Sequence, residues 1–474
     1  MFRKTFCGLA IAACLAAAPV LANETNDRLS ANITEYDLPN GMHVILMEDH
    51  TVPMVSTNLW YLVGSGDEEK GRHGFAHLFE HLMFCGSAHV PRGQFDALLE
   101  KVGGENNAST NEDRTNYYIT VPSNALSLAL FLESDRMGYL LDNMPKNIVD
   151  EQRDVVKNEM RQRYYNTPYN RAFIEIPKLM YPEGHPYSWP VIGTMEDLDS
   201  ANYDTVVDFH KNHYAPNNVS LAIVGDINID ETKNLVEHWF SEIPRGRFSP
   251  WAQYSDPLEF DSVVKKTITD NVELPRRLLL WHSPSEYIGD DAALDVASSI
   301  LTGTKNSRLF KRLIYHNQIA QNVEATQMSQ DLCSIYCVDF IPRPGHTLDE
   351  IQKVVDEELV RLANNPPEQW ELDMAINNLT YNYYRLMEKN ANVANYLNRY
   401  YCSVGETNFF RRDLERYTSL TPADISKAVR RYLPVDKRAE LTIVPEKEHA
   451  KVQEAEPVAA TQAPVAEDTE KEAK

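Results

Sequence analysis

Residues 77 to 81 read His77-Leu78-Phe79-Glu80-His81. On a helix, positions four apart share a face with Cβ atoms about 6 Å apart, so the two imidazoles can converge on one metal ion. Glu80 then stands about one turn beyond His77 and beside His81, close enough to take a proton from water without being a ligand. The order is the inverse of the His-Glu-x-x-His metal motif. A core helix that happens to carry two histidines would give the same five letters. Its neighbours Phe75, Leu78, Phe79, Leu82, Met83 and Phe84 are apolar, and an unpaired polar group among them would cost about 1–3 kcal/mol. A bound metal removes that objection.

The elements that must position this motif alternate between strand and helix. Val44 to Met47 and Val55 to Val63 have the composition of strands, with Gly41 as a turn before the first. Gly74 to Cys85 reads as an apolar helix. Phe95 to Val102 and Ala125 to Leu141 have helical apolar spacing and flank a strand from Tyr117 to Val121. Helices interspersed with strands at these lengths predict an α+β fold, with helices packed on a mostly antiparallel sheet.

The pattern occurs twice. Leu59-Trp60 returns as Leu280-Trp281, 221 positions later. Tyr214-Ala215-Pro216 and the strand Val219 to Val224 return as Tyr432-Leu433-Pro434 and Ala439 to Val444, 218 and 220 positions later. Gly86-Ser87 is echoed by Gly303-Thr304 at 217. Two tandem homologous domains are therefore expected: 23–248, carrying the metal motif, and 263–445, joined by a linker over 249–262 that contains Pro250 and Pro257. At the 217 offset, His77, Glu80 and His81 correspond to Leu294, Ala297 and Ser298, so the second copy has no metal site. Residues 446–474 are mostly Pro, Ala, Glu and Lys, and such a tail cannot offset its ordering entropy by burial; a disordered acidic tail is expected.

Composition narrows the partners. The 474 residues carry 46 Lys and Arg against 69 Asp and Glu, a formal charge of −23. That balance excludes a nucleic-acid binder, which must neutralise phosphates, and disfavours docking on an anionic membrane. Arg3 and Lys4, the apolar stretch Phe6 to Ala18, and Val20-Leu21-Ala22 have the layout of a signal peptide cleaved after Ala22. The stretch is shorter than the ~20 residues that span a bilayer, and no later run is long enough, so a mature chain without a transmembrane segment is expected in the periplasm. Ile11-Ala12-Ala13-Cys14 leaves lipoprotein anchoring as the alternative. Cys85, Cys333, Cys337 and Cys402 remain after cleavage. Cys333 and Cys337 fall in the alternating stretch Leu332 to Phe340; on a strand they lie about 13 Å apart, too far for a bridge. Buried free thiols are expected.

Beyond the five-residue motif, Gly64-Ser65-Gly66-Asp67-Glu68 and the run from Gly74-Phe75-Ala76 through Cys85-Gly86-Ser87 resemble the zinc site of the pitrilysin/insulysin family, in particular its short processing-peptidase-like bacterial members. The likeness continues through Gly103-Gly104, Asn107-Ala108-Ser109-Thr110 and Asp113-Arg114-Thr115-Asn116-Tyr117-Tyr118. It extends over His185-Pro186-Tyr187, Ile192-Gly193 and Tyr214-Ala215-Pro216-Asn217-Asn218 to Gly225-Asp226. The first half is covered by specific motifs, the second by general pattern.

The resemblance implies a zinc endopeptidase holding one Zn2+ per chain, with Glu80 as general base. It also implies two such chain-equivalents closing around a chamber that admits short or unfolded peptides. The family's third ligand, a glutamate some 75–80 residues downstream, matches Glu159 in Gln152-Arg153-Asp154-Val155-Val156-Lys157-Asn158-Glu159. Two imidazoles and one carboxylate leave a fourth position open, as a catalytic zinc requires. Where many relatives carry a second glutamate, this chain has Gln152, expected as an outer hydrogen-bonder; Glu151 would point about 100° away. Asn107, Ala108 and Ser109 read either as a sheet edge that holds the substrate backbone by strand addition or as an Asn-rich turn.

The family also uses an Arg and a Tyr from its second half to hold the substrate carbonyl. Here the matching stretch offers Tyr315 and Gln321, so the pair is missing, and Arg308 and Arg312 read as surface arginines. A homologous subunit, in a heterodimer or a homodimer, is the expected partner beside the peptide substrate. The competing readings are a non-catalytic assembly subunit and a peptide-binding chaperone.

Overall fold

A computed structural model describes residues 32–247, 257 and 259–446. The expected signal peptide, most of the linker and the tail after Glu446 lie outside the described residues. Strand β3 (Met54–Tyr61) shows why a two-faced sheet forms. Val55, Leu59 and Tyr61 join one core, while the alternate residues Ser56, Asn58 and Trp60 face the other way, and all six are buried. The neighbouring strands β2 (His43–Glu48) and β6 (Val219–Gly225) alternate in the same manner. Val44, Leu46, Leu221 and Ile223 lie on one face; Ile45, Met47, Ala222 and Val224 lie on the other. With β1 (Ile33–Asp37), β4 (Glu105–Thr110) and β5 (Thr115–Pro122), the order is β1-β2-β6-β3-β5-β4. Only β2 and β6 run parallel.

The second sheet comprises β7 (Val264–Asp270), β8 (Arg276–Ser283), β9 (Ala320–Met328), β10 (Ser334–Pro342) and β11 (Ala439–Pro445), in the order β7-β11-β8-β10-β9. Without β1 this is the topology of the first sheet, and again only one pair, β7 and β11, is parallel. Trp60 stands opposite Asn116, and Trp281 stands opposite Tyr336. The expected duplication is thus visible as two α+β halves with equivalent strands. Cys333 and Cys337 are buried and free, and Cys85 and Cys402 are free as well.

The first half carries helices α1 (Phe75–Leu82), α2 (Gln94–Lys101), α3 (Leu126–Tyr139), α4 (Lys146–Met160), α5 (Ala172–Met180), α6 (Met195–Ser200), α7 (Tyr203–His213) and α8 (Ile229–Phe240). The second carries α9 (Asp291–Thr302), α10 (Leu348–Asn364), α11 (Gln369–Met387), α12 (Asn390–Arg399), α13 (Phe410–Thr418) and α14 (Pro422–Tyr432). Among the described residues no helix is long and apolar enough to cross a membrane.

Two helices cross over. Ala172, Ile176 and Met180 of α5, spaced four apart, pack on Leu278, Leu280, Ile335, Leu441 and Ile443 of the second sheet. Val393, Ala394 and Leu397 of α12 pack on Ile45, Met47, Ala222 and Val224 of the first. Each sheet is therefore closed on one face by its own helices and on the other by a helix of the opposite half. The chain divides near the expected linker; the packing does not.

Candidate metal centre

Helix α1 is two turns long and shorter than the expected 74–85. Beyond Leu82 the chain leaves in tight turns, with Phe84 N–H to His81 O at 3.1 Å and Cys85 N–H to Leu82 O at 2.9 Å. Its start is built by contacts from outside the helix. Gly74 takes φ +97°, and a Cβ there would fall 2.7 Å from the Ile192 carbonyl oxygen, so glycine is required. Glycine offers no capping side chain, and the buried Glu68 carboxylate caps in its place. It accepts from Gly74 N–H and Ala76 N–H, both at 2.8 Å, and from Trp189 Nε1–H at 3.2 Å.

Phe75, Leu78, Phe79 and Leu82 enter the core, which turns His77, Glu80 and His81 toward helix α4. There the Glu159 Oε2 atom lies 3.7 Å from His77 Nε2 and 3.2 Å from His81 Nε2. One donor atom from each of the three falls within 4.8 Å of the others. The expected third ligand is brought to the pair across two helices.

The electrostatics suit a divalent cation. Burial pushes the His77 imidazole down to about 4, which keeps it neutral and its lone pair free. The hydrogen bond from His81 holds the Glu159 carboxyl down to about 2, so it is ionised. Arg163 lies in the π-helical turn that follows α4 and reaches Glu159 Oε1 at 3.3 Å. Among the described residues nothing bonds to the buried His77 Nδ1. Two imidazole nitrogens and one carboxylate oxygen form the donor set of a catalytic zinc, with a position left for water. Glu80 accepts a hydrogen bond from Thr110 Oγ1 at 2.5 Å on one oxygen, and burial raises its carboxyl above the usual range. Thr110 was not anticipated from the sequence, although it ends the strand that carries Asn107, Ala108 and Ser109.

That segment is β4, the edge strand of the first sheet, not a turn. The hairpin closes with Asn111 N–H to Arg114 O at 3.0 Å. By antiparallel alternation Ser109 and Asn107 bond to Asn116 and Tyr118 of β5, and Asn106, Ala108 and Thr110 direct their backbone groups outward. Of the three expected residues, only Ala108 presents a free edge, and its N–H is occupied by Asn107 Oδ1 at 2.8 Å. Ser109 looks the other way: its hydroxyl donates to Asn116 Oδ1 at 2.7 Å, and the Asn116 amide reaches Asn58 and Asn395.

Two expectations are corrected. Gln152 is buried on the Glu159 face of α4, but its amide bonds to no described residue. Glu151 points away as expected and pairs with Arg92 at 2.7 Å. Arg308 is not a surface arginine. It makes two 2.7 Å bonds to Glu371 and one of 3.2 Å to the buried Glu358, tying α10 to α11. Arg312 is half-exposed and bonds to Glu357 and Glu358. Tyr315 is exposed and Gln321 lies on the edge strand β9, with no Arg/Tyr pair between them.

A short helix with His-x-x-Glu-His facing inward and a glutamate from a second helix define a metallopeptidase of the inverted type. The sequence profile described as insulinase (peptidase family M16) matches residues 43–181, and that of the peptidase M16 inactive domain matches residues 200–379. The chain belongs to peptidase family M16 and is a zinc metallopeptidase of that family. It is 27% identical over 360 residues to the zinc protease PqqE of Helicobacter pylori, spanning 75% of this chain and 80% of that protein. An uncharacterized zinc protease of Mycobacterium leprae is 29% identical over 340 residues, 71% of this chain and 75% of that one. Among solved structures, a protease from Helicobacter pylori superposes with a TM-score of 0.82 at 24% identity, over 88% of this chain and 100% of that chain. A peptidase M16 inactive domain from Pseudomonas fluorescens gives 0.77 at 20% identity, over 87% and 98%.

Proposed function

We propose that this chain is an exported endopeptidase that hydrolyses peptides or unfolded polypeptides in the cell envelope. The observation that carries the reading is the convergence of His77, His81 and Glu159 beside a Glu80 that is free on one oxygen. Zinc, held by these three residues, supplies polarisation of the scissile carbonyl and acidification of water. Glu80 accepts the proton of the attacking water and returns it to the leaving amine. Thr110 fixes the Glu80 carboxylate for both transfers. The outward backbone groups of Asn106 and Thr110, with the Ala108 carbonyl, hold the substrate as an added strand. Export rests on the charged and apolar N-terminal pattern that ends at Ala22.

Elemental analysis with peptide turnover tests the reading. One zinc per chain is expected, with Glu80→Gln retaining zinc and losing about 10²–10⁴ in kcat. Full zinc content in a His77→Ala/His81→Ala variant would overturn the ligand assignment. Because Gln321 stands where the substrate-holding Tyr was expected, full activity requires a homologous subunit that supplies the Arg/Tyr pair. Such a donor contributes about 3–4 kcal/mol to the transition state. Full turnover by the isolated chain, with no gain on mixing with a family relative encoded in the same genome, would sink that part of the proposal.

A further inference from the structure

Arg114, in the turn between β4 and β5, has no role in the chemistry above. Its Nη1 donates to Ser109 O at 2.6 Å and to Ser109 Oγ at 2.7 Å, and its guanidinium lies 5.1 Å from the centre of the Trp60 ring. It forms no ion pair with any described carboxylate. Nε is buried without a partner, and Nη2 makes no hydrogen bond and is not sealed from solvent. The other buried arginines are compensated: Arg136 by Glu133, Arg438 by Asp356 and Glu440, and Arg399 by Glu286. A guanidinium cannot shed its charge, so a half-buried one without a counter-ion is costly. Burial and the nearby Arg399 both act against the charged form, pushing it down to about 10, while Glu80, Asp113 and Glu112 act for it without pairing with it.

The position is informative. Ser109 adjoins Thr110, which holds Glu80, and belongs to the edge strand along which an added strand would lie. Two hydrogen bonds and an aromatic face fix the guanidinium before any ligand arrives and leave Nη2 to donate to a carboxylate oxygen. On a chain of net charge −23, an acidic ligand is otherwise repelled, so a local cation matters.

We propose that Arg114 binds a carboxylate of the peptide substrate beside the scissile bond, either an Asp or Glu side chain or the chain-terminal group. The proposal rests on the peptidase reading and adds a substrate preference to it. The test is equilibrium binding to zinc-loaded Glu80→Gln protein, which does not turn the peptides over. Three labelled peptides share one neutral sequence: one with a free C-terminus, one amidated, and one amidated with a single Glu.

One of the two carboxylate peptides should bind about tenfold more tightly than the neutral one, and which of them does so identifies the source. Adding Arg114→Gln should bring the ratio to about one at unchanged zinc content. Adding Arg114→Lys, which keeps the charge and loses the planar group anchored on Ser109 and Trp60, should leave a reduced preference. Should the Gln variant not fold, the Lys variant decides, and an undiminished preference there counts against the role. Equal binding of all three peptides, or a preference that survives Arg114→Gln, overturns this proposal alone. Binding of none of them, by the chain alone or mixed with the homologous subunit, overturns the peptidase reading as well.

Discussion

Helix α1 and helix α9 occupy corresponding places above two sheets of one topology, and only the first carries a metal site. At the positions of His77, Glu80 and His81 the second half has Leu294, Ala297 and Ser298, of which the first two are fully buried. The polar residues of α9 lie elsewhere and are sealed. Asp291 is bound by Arg416 and Gln327, and Asp295 by Tyr417. At the edge strands, register places Met328 of β9 where β4 has Thr110. The fold therefore positions a helix and an edge, and a handful of side chains decides whether chemistry follows.

The largest effect should come from Glu159→Gln, which removes the carboxylate that only the first half supplies. Zinc occupancy should fall at least about tenfold, and kcat/KM by about 10³ or more. Elemental analysis of the wild-type chain checks the other side, since two zincs per chain would break the comparison.

The crossed helices should behave as equivalents. Leu397→Ala on α12 and Ile176→Ala on α5 each truncate a buried side chain, and each should cost about 2–5 kcal/mol in denaturant unfolding. A cost confined to one of them would mean that only one sheet depends on its borrowed helix.

Acid should weaken the first half more. Burial pushes His210 and His213 of α7, and His282 of β8, down to about 4. Unfolded, each titrates near 6.5. Between those values the unfolded chain binds more protons, so stability is full above pH 6.5 and falls as the pH drops toward 4. For His210 alone the loss is about 3 kcal/mol at the acid end. Unfolding midpoints of the metal-free chain at pH 7.5, 6 and 4.5 measure it, and a flat series would refute it.

The smallest effect belongs to Thr110→Val. Glu80 loses one hydrogen bond worth about 1–1.5 kcal/mol, so kcat should drop about five- to tenfold with zinc retained. An unchanged kcat would show that Glu80 is held by something other than the feature that distinguishes β4 from β9.

Much of this was readable in the chain. Val44 to Met47 are apolar at every position, and Val219 to Val224 at every position but Ser220, because both faces of their strands are covered, and the metal motif is local enough to be seen in five letters. What escaped is long-range. Nothing within Ala172–Met180 says which of two sheets it will cover, since an apolar stripe at spacing four fits either. Arg308 resembles any solvent-facing helical arginine until Glu358 and Glu371, 50 and 63 positions away, are brought to it. Gln152 lies on the expected face of its helix, and its amide bonds to no described residue.

The crossed helices also fix when the molecule can be completed. A chain made from its N-terminus has all of the first sheet once Gly225 has emerged, but α12, which must cover Ile45 and Met47, lies some 350 residues after those positions. Until then an apolar sheet face stands open, and α5 waits for a sheet not yet made. The first half released alone would therefore be a ready client for chaperones and a poor stand-alone enzyme. Two fragments cut near residue 255, each carrying the helix the other lacks, would be expected to find one another.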